Sequence, residues 1–294
     1  MAKTSAPSAT AGVFTSTISQ PVQRALSLDE MTAMARRLRL HVVTMIAAAS
    51  SGHPGGSLSA VEIVTALYFR VLRHRPTEPQ WPDRDRFILS KGHAAPLLYA
   101  ALAECGYFPV SELSTLRKLG SRLQGHTDCT LTPGVETSAG SLGQGLSFGV
   151  GVALAGRLDR RNYHAYVLLG DGECDEGQVW EAAMAAGHHK LDNLTAIVDR
   201  NQQQLDGWNY EVMNLEPLAD KWRAFGWEVQ EVDGHDLPGM VAALEKARAT
   251  RDKPSAIIAR TIKGKGVSFM ENNLDFHGRA PSAQELEKAL EELK

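Results

Sequence analysis

The sequence predicts an α/β fold with a mainly parallel sheet and helices on both faces, and three observations carry that expectation. Two short apolar runs, 166–169 (Tyr-Val-Leu-Leu) and 194–198 (Leu-Thr-Ala-Ile-Val), read as fully buried strands, with a helical stretch at 178–188 between them. A strand, a long crossover containing a helix and a second apolar strand form a βαβ unit, which requires parallel strands and a right-handed connection. The runs at 228–232 and 256–259 add two more strands around a helix at 237–249. With 43% hydrophobic and 22% charged residues in 294, the chain can build one sizeable core.

Taken in order, 28–49 is a long helical pattern with Ser27 as N-cap and Asp29 and Glu30 in the first turn, where carboxylates favour the helix dipole. It stops at Ser50-Ser51-Gly52-His53-Pro54-Gly55-Gly56, and a second helix is expected from about Ser59. Prolines 76, 79 and 82 make 74–85 a loop, and 87–89 is a short strand. Further helices are expected at 96–104, 110–118, 145–158 and 282–293. The opening 1–23, rich in Ala, Ser and Thr, reads as a disordered tail without the apolar core of a secretory signal or the arginines of a transit peptide, so one domain over 24–294 remains.

The charge balance, 31 basic against 34 acidic residues, excludes a nucleic-acid binder driven by bulk charge. Cys105, Cys129 and Cys174 form no C-x-x-C pair and are odd in number, so neither a disulfide framework nor a thiolate zinc site is expected, and a reducing, cytoplasmic setting is. The uncharged run 137–156 is broken by glycines, Ser141, Gln144 and Ser147, which suits a phosphate-facing loop and helix better than a membrane span.

The most informative segment runs from Gly170 to Asn201. Gly170-Asp171-Gly172-Glu173 follows one apolar strand directly, and the next ends in Asp199-Arg200-Asn201. In a parallel sheet the carboxyl ends of neighbouring strands lie together, so Asp171 and Asn201 converge where such folds bind ligands. Two oxygen donors there suit a hard cation such as Mg²⁺, which completes its shell with phosphate and water. Gly170 and Gly172 let a diphosphate approach the backbone. His53, His93, His126 and His277 sit beside glycine or in short loops, where an imidazole can shuttle protons near neutral pH. His74, His164, His188, His189 and His235 read as structural.

Gly170-Asp171-Gly172 followed by Asn201 resembles the thiamine diphosphate motif, and the likeness extends further. Ser51-Gly-His-Pro-Gly55, Leu89-Ser-Lys-Gly-His-Ala94, Gly125-His126, Pro133-Gly-Val-Glu136, Gly140-Ser-Leu-Gly-Gln-Gly145 and Gly170-Asp-Gly-Glu-Cys-Asp-Glu-Gly177 resemble, in order, the blocks of the transketolase family over roughly 28–280. The resemblance implies a diphosphate-binding domain of the thiamine diphosphate-binding fold, and transfer of a two-carbon ketol unit from a ketose phosphate to an aldose phosphate, as in the pentose phosphate pathway. It implies that Asp171, Asn201 and the main-chain carbonyl of Gln203 ligate Mg²⁺ or Ca²⁺, that Gly172 meets the diphosphate, and that Gly140, Ser141 and Leu142 meet the aminopyrimidine. At Ser141 the family usually has proline.

The same resemblance implies that Leu205 packs on the thiazolium, that His93 and His277 lie at the diphosphate, and that His126 meets the donor C1 hydroxyl. His53 would take part in proton transfer, and Glu176 would lie between subunits, coupling two active sites. Glu173 is placed with the cofactor-binding residues without an assigned role, and Lys91 is given none. Lys263-Gly-Lys-Gly266 departs from the usual transketolase sequence and resembles deoxyxylulose-phosphate synthases. Transketolases carry pyrimidine-binding and C-terminal domains that this chain lacks, so the resemblance implies a partner chain bearing them, an α₂β₂ heterotetramer, and Lys294 as a natural end. The alternatives are another split thiamine enzyme for an unusual sugar, or a binding module without catalysis.

Overall fold

In the computed structural model, residues 25–294 are described, so the expectation for 1–23 lies outside them. Five strands, β1 (Arg86–Leu89), β2 (Ala165–Gly170), β3 (Leu194–Arg200), β4 (Glu228–Asp233) and β5 (Ser255–Arg260), form one sheet in the order β1-β2-β3-β5-β4. Every pairing is parallel.

Side chains alternate across the sheet with period two, and each face has its own core. On one face Ile88, Val167, Leu169, Ala196, Val198 and Ile258 pack with helices α5 (Gln144–Leu158), α6 (Gly177–His188) and α8 (Leu218–Ala224). On the other, Phe87, Leu89, Tyr166, Leu168, Ile197 and Ile257 pack with α1 (Leu28–Ala49), α3 (Val61–Ala66), α4 (Ala95–Cys105) and α9 (Leu237–Ala249). The chain runs outward through β1, β2 and β3, skips a place to β4 and returns to β5. A right-handed crossover that reverses direction puts its helix on the opposite face, which is why α9 lies across the sheet from α6.

Ser27 caps α1 in a capping box with Glu30, and Ser282 with Glu285 does the same for α10 (Ala283–Glu292). After α1 the backbone turns left-handed at Ser50. Three local expectations are corrected. The helix expected from about Ser59 is α3, but an unexpected helix precedes it: α2 (Pro54–Ser59) contains Gly55 and Gly56, and all six of its residues are buried. Proline at the first helical position is compatible with a helix start. Where 110–118 is expected to be α-helical, the chain forms only a short 3₁₀ stretch, Val110–Thr115. The strand expected at 228–232 is present, but α8 and the single turn α7 (Asn209–Val212) before it have no counterpart among the expected elements.

Candidate active site

The carboxyl edge of β1, β2, β3 and β5 gathers the candidate site residues. Gly170 pairs with Asp199 in register, so the residues that follow β2 and those that end β3 meet. Asp171 is 2% exposed; its Oδ1 accepts the Gly172 N–H at 2.9 Å and its Oδ2 the Gln202 N–H at 2.5 Å. Asn201 is also buried, and its Oδ1 accepts the Gln203 N–H at 3.1 Å. Burial and the neighbouring Asp199 push the Asp171 carboxyl up to about 7. Asp199 goes the other way. Burial alone would raise it, but Lys91 and hydrogen bonds from Ser59 and Thr261 outweigh burial and hold it below the usual range.

Two lysines face this edge. Lys91 Nζ donates to the Gly56 carbonyl at 2.8 Å as well as to Asp199. Lys263, 2% exposed on the turn after β5, lies with its Nζ 2.9 Å from His277 Nδ1 and 3.5 Å from the Gln203 and Gln204 carbonyls. Burial, then Lys91, lowers Lys263 to about 8. A cleft of about 190 Å³ is lined by Lys91, His93, Leu142, Asp171, Gly172, Glu173, Glu176, Asn201, Gln203, Leu205, Lys263 and His277.

The four histidines form one cluster. Ring centroids lie 5.5 Å apart for His53 and His93, 5.6 Å for His53 and His277, 5.5 Å for His93 and His277, and 6.2 Å for His53 and His126. Burial is the first cause that depresses each, with nearby positive charge adding to it. His53 falls to about 4 and His277 to about 3; His93 falls well below its ordinary value, and His126 is lowered too. All four are therefore neutral at pH 7, each ring offering one hydrogen-bond donor and one acceptor nitrogen.

Of the residues expected from the sequence, the cleft gathers Asp171, Gly172, Asn201, Gln203, His93, His277, Leu142, Leu205, Glu173 and Glu176. His53 joins through its ring contacts, and His126 stands exposed at the far side of His53. Gly140 and Ser141 do not line this cleft; they border an adjoining recess of about 440 Å³ with Thr137, Ser138, Gln144 and Phe148. Glu173 turns its carboxylate into the protein, where Oε1 accepts from Ser90 Oγ and from the Gly143 N–H at 2.9 Å, and Oε2 accepts the Gly170 N–H at 2.9 Å. Glu176 and Leu205 are exposed, Leu205 by 64%.

Sequence reasoning left out Lys263, Asp199 and a role for Lys91. The Lys263-Gly-Lys-Gly266 run marked that turn as unusual, but its meeting with His277 depends on tertiary structure. Of the histidines expected to be structural, His74 and His164 are buried, hydrogen-bonded to Tyr107 and Thr195 respectively, and His235 bonds Glu62 at 2.9 Å, whereas His188 and His189 are exposed.

The donor set suits a hard cation and a diphosphate. A carboxylate, an amide and a main-chain carbonyl are all oxygen, as Mg²⁺ or Ca²⁺ prefers. Two buried ammonium groups face the same cleft, and Gly172 has no space to spare: a Cβ there would stand 2.9 Å from Gln204 Cβ. Among the described residues no group of three or more His, Cys, Asp or Glu side chains is placed to hold a metal ion, so the protein's own side chains form no complete cage. No helix among the described residues is long and apolar enough to cross a membrane.

Comparison with known proteins agrees with this geometry. Residues 30–293 match the family model for the transketolase thiamine diphosphate-binding domain. The chain is 47% identical over 272 residues to 6-deoxy-6-sulfo-D-fructose transketolase subunit SqwG of Clostridium sp. (strain MSTE9), covering 92% of this chain and 98% of that one. It is 45% identical over 270 residues to one of the subunits of the apulose-4-phosphate transketolase of Actinobacillus succinogenes, with the same coverage. The crystal structure of transketolase from Campylobacter jejuni superposes with a TM-score of 0.86 at 35% identity, covering 91% of this chain and 43% of that one. With its matched domain, its parallel sheet and its clustered site in agreement, the chain belongs to the transketolase family.

Proposed function

We propose that this chain is the diphosphate-binding subunit of a two-chain transketolase, moving a two-carbon ketol unit between phosphorylated or otherwise anionic sugars with thiamine diphosphate and a divalent cation. The single observation that carries the reading is the convergence of Asp171, Asn201, Lys91, Lys263 and four neutral histidines on one sheet edge. Two relatives of almost the same length are named as subunits, which supports a companion chain carrying the pyrimidine-binding domain. An α₂β₂ assembly is the natural stoichiometry of such a pair, Mg²⁺ or Ca²⁺ the natural metal, and the cytoplasm its natural place.

Asp171, Asn201 and the Gln203 carbonyl would hold the cation, with Gly172 and the two lysines against the diphosphate. Thiamine diphosphate, when bound, supplies the electron sink for carbon–carbon cleavage. Everything else falls to the protein. Leu205 would press its apolar side chain on the ring system, and Gly140, Ser141 and Leu142 would border the aminopyrimidine from the adjoining recess. Glu176, at the mouth, would face the companion chain. His53 and His126 would take and return protons of the sugar hydroxyls, which they can do as neutral imidazoles.

The relatives named for sulfofructose and apulose phosphate favour an unusual ketose donor over xylulose 5-phosphate. Ketol transfer should be assayed with ribose 5-phosphate as acceptor and each of the three donors in turn, with this chain alone and with its companion. Turnover with both chains and one preferred donor is expected. Cofactor binding without transfer from any of the three donors would favour a non-catalytic binding module.

A further inference from the structure

Arg117 lies outside the cleft, at the foot of the histidine cluster. Its backbone is left-handed, with φ 60, a conformation that non-glycine residues adopt uncommonly. Its amide N–H donates to the Leu123 carbonyl at 2.8 Å, and its guanidinium forks. Nη1 donates to Ser51 Oγ at 3.0 Å and Nη2 to the Gly125 carbonyl at 3.4 Å. The guanidinium stands close against Gly125, where a Cβ would be 2.8 Å from Cζ and 3.0 Å from Nη2. Ser51 precedes His53 by two residues, and Gly125 directly precedes His126.

We propose that Arg117 is a positioning residue: its fork pins the turn carrying His53 to the turn carrying His126, and so fixes the two imidazoles opposite one another at the mouth of the site. A lysine cannot reproduce this, because a single ammonium on a flexible stem has no planar fork. The charge of Arg117 serves the same pair. His53 faces Arg117, His126 and Lys263, along with the rings of His93 and His277; His126 faces Arg117 and His53. After burial, Arg117 is the largest influence keeping either imidazole neutral. That the pair then serves proton transfer rests on the function proposed above; the pinning does not.

The test uses the chain itself. Histidine Cε1–H titrations by NMR and hydrogen exchange by mass spectrometry are compared for the wild type, Arg117→Met and Arg117→Lys. In Arg117→Met the midpoints of His53 and His126 should rise by roughly half a pH unit or more, while that of His164, at the other edge of the sheet, stays in place. In Arg117→Lys those midpoints should stay near wild type because the charge remains. In both variants exchange at 49–55 and 121–127 should quicken about tenfold or more, with α6 unchanged. Wild-type exchange in those two segments in either folded variant would overturn the pinning. Faster exchange in Arg117→Met with both midpoints unmoved would overturn the link to the imidazoles. Should Arg117→Met fail to fold, Arg117→Lys alone decides by its exchange.

Discussion

Lys91 Nζ lies 2.5 Å from Asp199 Oδ2, and the two side chains are 1% and 0% exposed. This buried pair ties the turn after β1 to the end of β3 and, through the Gly56 carbonyl, to α2. It also divides two neighbouring carboxylates by role. Asp199 has its counter-charge within the protein, whereas Asp171, pushed up to about 7, is stabilised mainly by backbone N–H groups. Of the two carboxylates, Asp171 is thus the one without a lysine counter-charge bonded to it, which is why the proposed function gives the cation to it.

Removing one member of a fully buried pair strands the other charge, which costs about 3 kcal/mol or more. Lys91→Met should destabilise the chain by that order in urea unfolding. Adding Asp199→Asn to it should recover part of the loss, since the stranded charge is gone. A double variant less stable than Lys91→Met would contradict this account of the pair.

Lys263 should matter to the cofactor more than to the fold. Lys263→Met removes a buried ammonium that faces the cleft, so affinity for thiamine diphosphate, measured by titration calorimetry with Mg²⁺ and the companion chain, should fall tenfold or more, about 1.4 kcal/mol. Unchanged affinity would remove Lys263 from the site.

Gly56 is matched to His93. A Cβ on Gly56 would stand 2.9 Å from His93 Nε2 and 3.1 Å from Cδ2, so Gly56→Ala must push that ring aside. The side chain can yield, so a melting temperature within a few degrees of wild type is expected. Ketol transfer should nonetheless drop about tenfold or more, because small displacements at reacting groups are costly. Full activity with His93 displaced in a crystal structure would show that this histidine is dispensable.

Acid should weaken the fold through His164. Burial depresses this histidine to about 4, below its unfolded value of 6.5, so the unfolded chain binds the proton first. Its stabilising effect is complete above pH 6.5 and is lost as pH falls from 6.5 towards 4. Between pH 7 and pH 5 that amounts to roughly 2 kcal/mol. Urea unfolding of His164→Gln at both pH values should show a smaller drop than wild type, and an equal drop would count against it.

The sheet and much of the site were legible because they depend on local pattern. The 166–169 and 194–198 runs could hardly be anything but buried parallel strands, and Gly170-Asp171-Gly172 had to emerge at their carboxyl edge. Gly55 and Gly56 misled because two glycines after a proline resemble a break. Here they open a helix packed so tightly that a side chain on Gly55 would meet the Phe276 carbonyl at 3.0 Å. Lys263 and Arg117 were hidden for a different reason: each gains its meaning from a partner brought to it by the fold, His277 for one and the turns of His53 and His126 for the other.

The most direct test of the central claim is ketol transfer by the purified two-chain complex with thiamine diphosphate and Mg²⁺, comparing wild type with Asp171→Ala, each also assayed without the companion. Turnover by the wild-type complex alone, with Asp171→Ala still assembling but losing cofactor binding and at least about a hundredfold in rate, is the predicted result. Full activity of Asp171→Ala, or undiminished turnover by this chain without its companion, would contradict it.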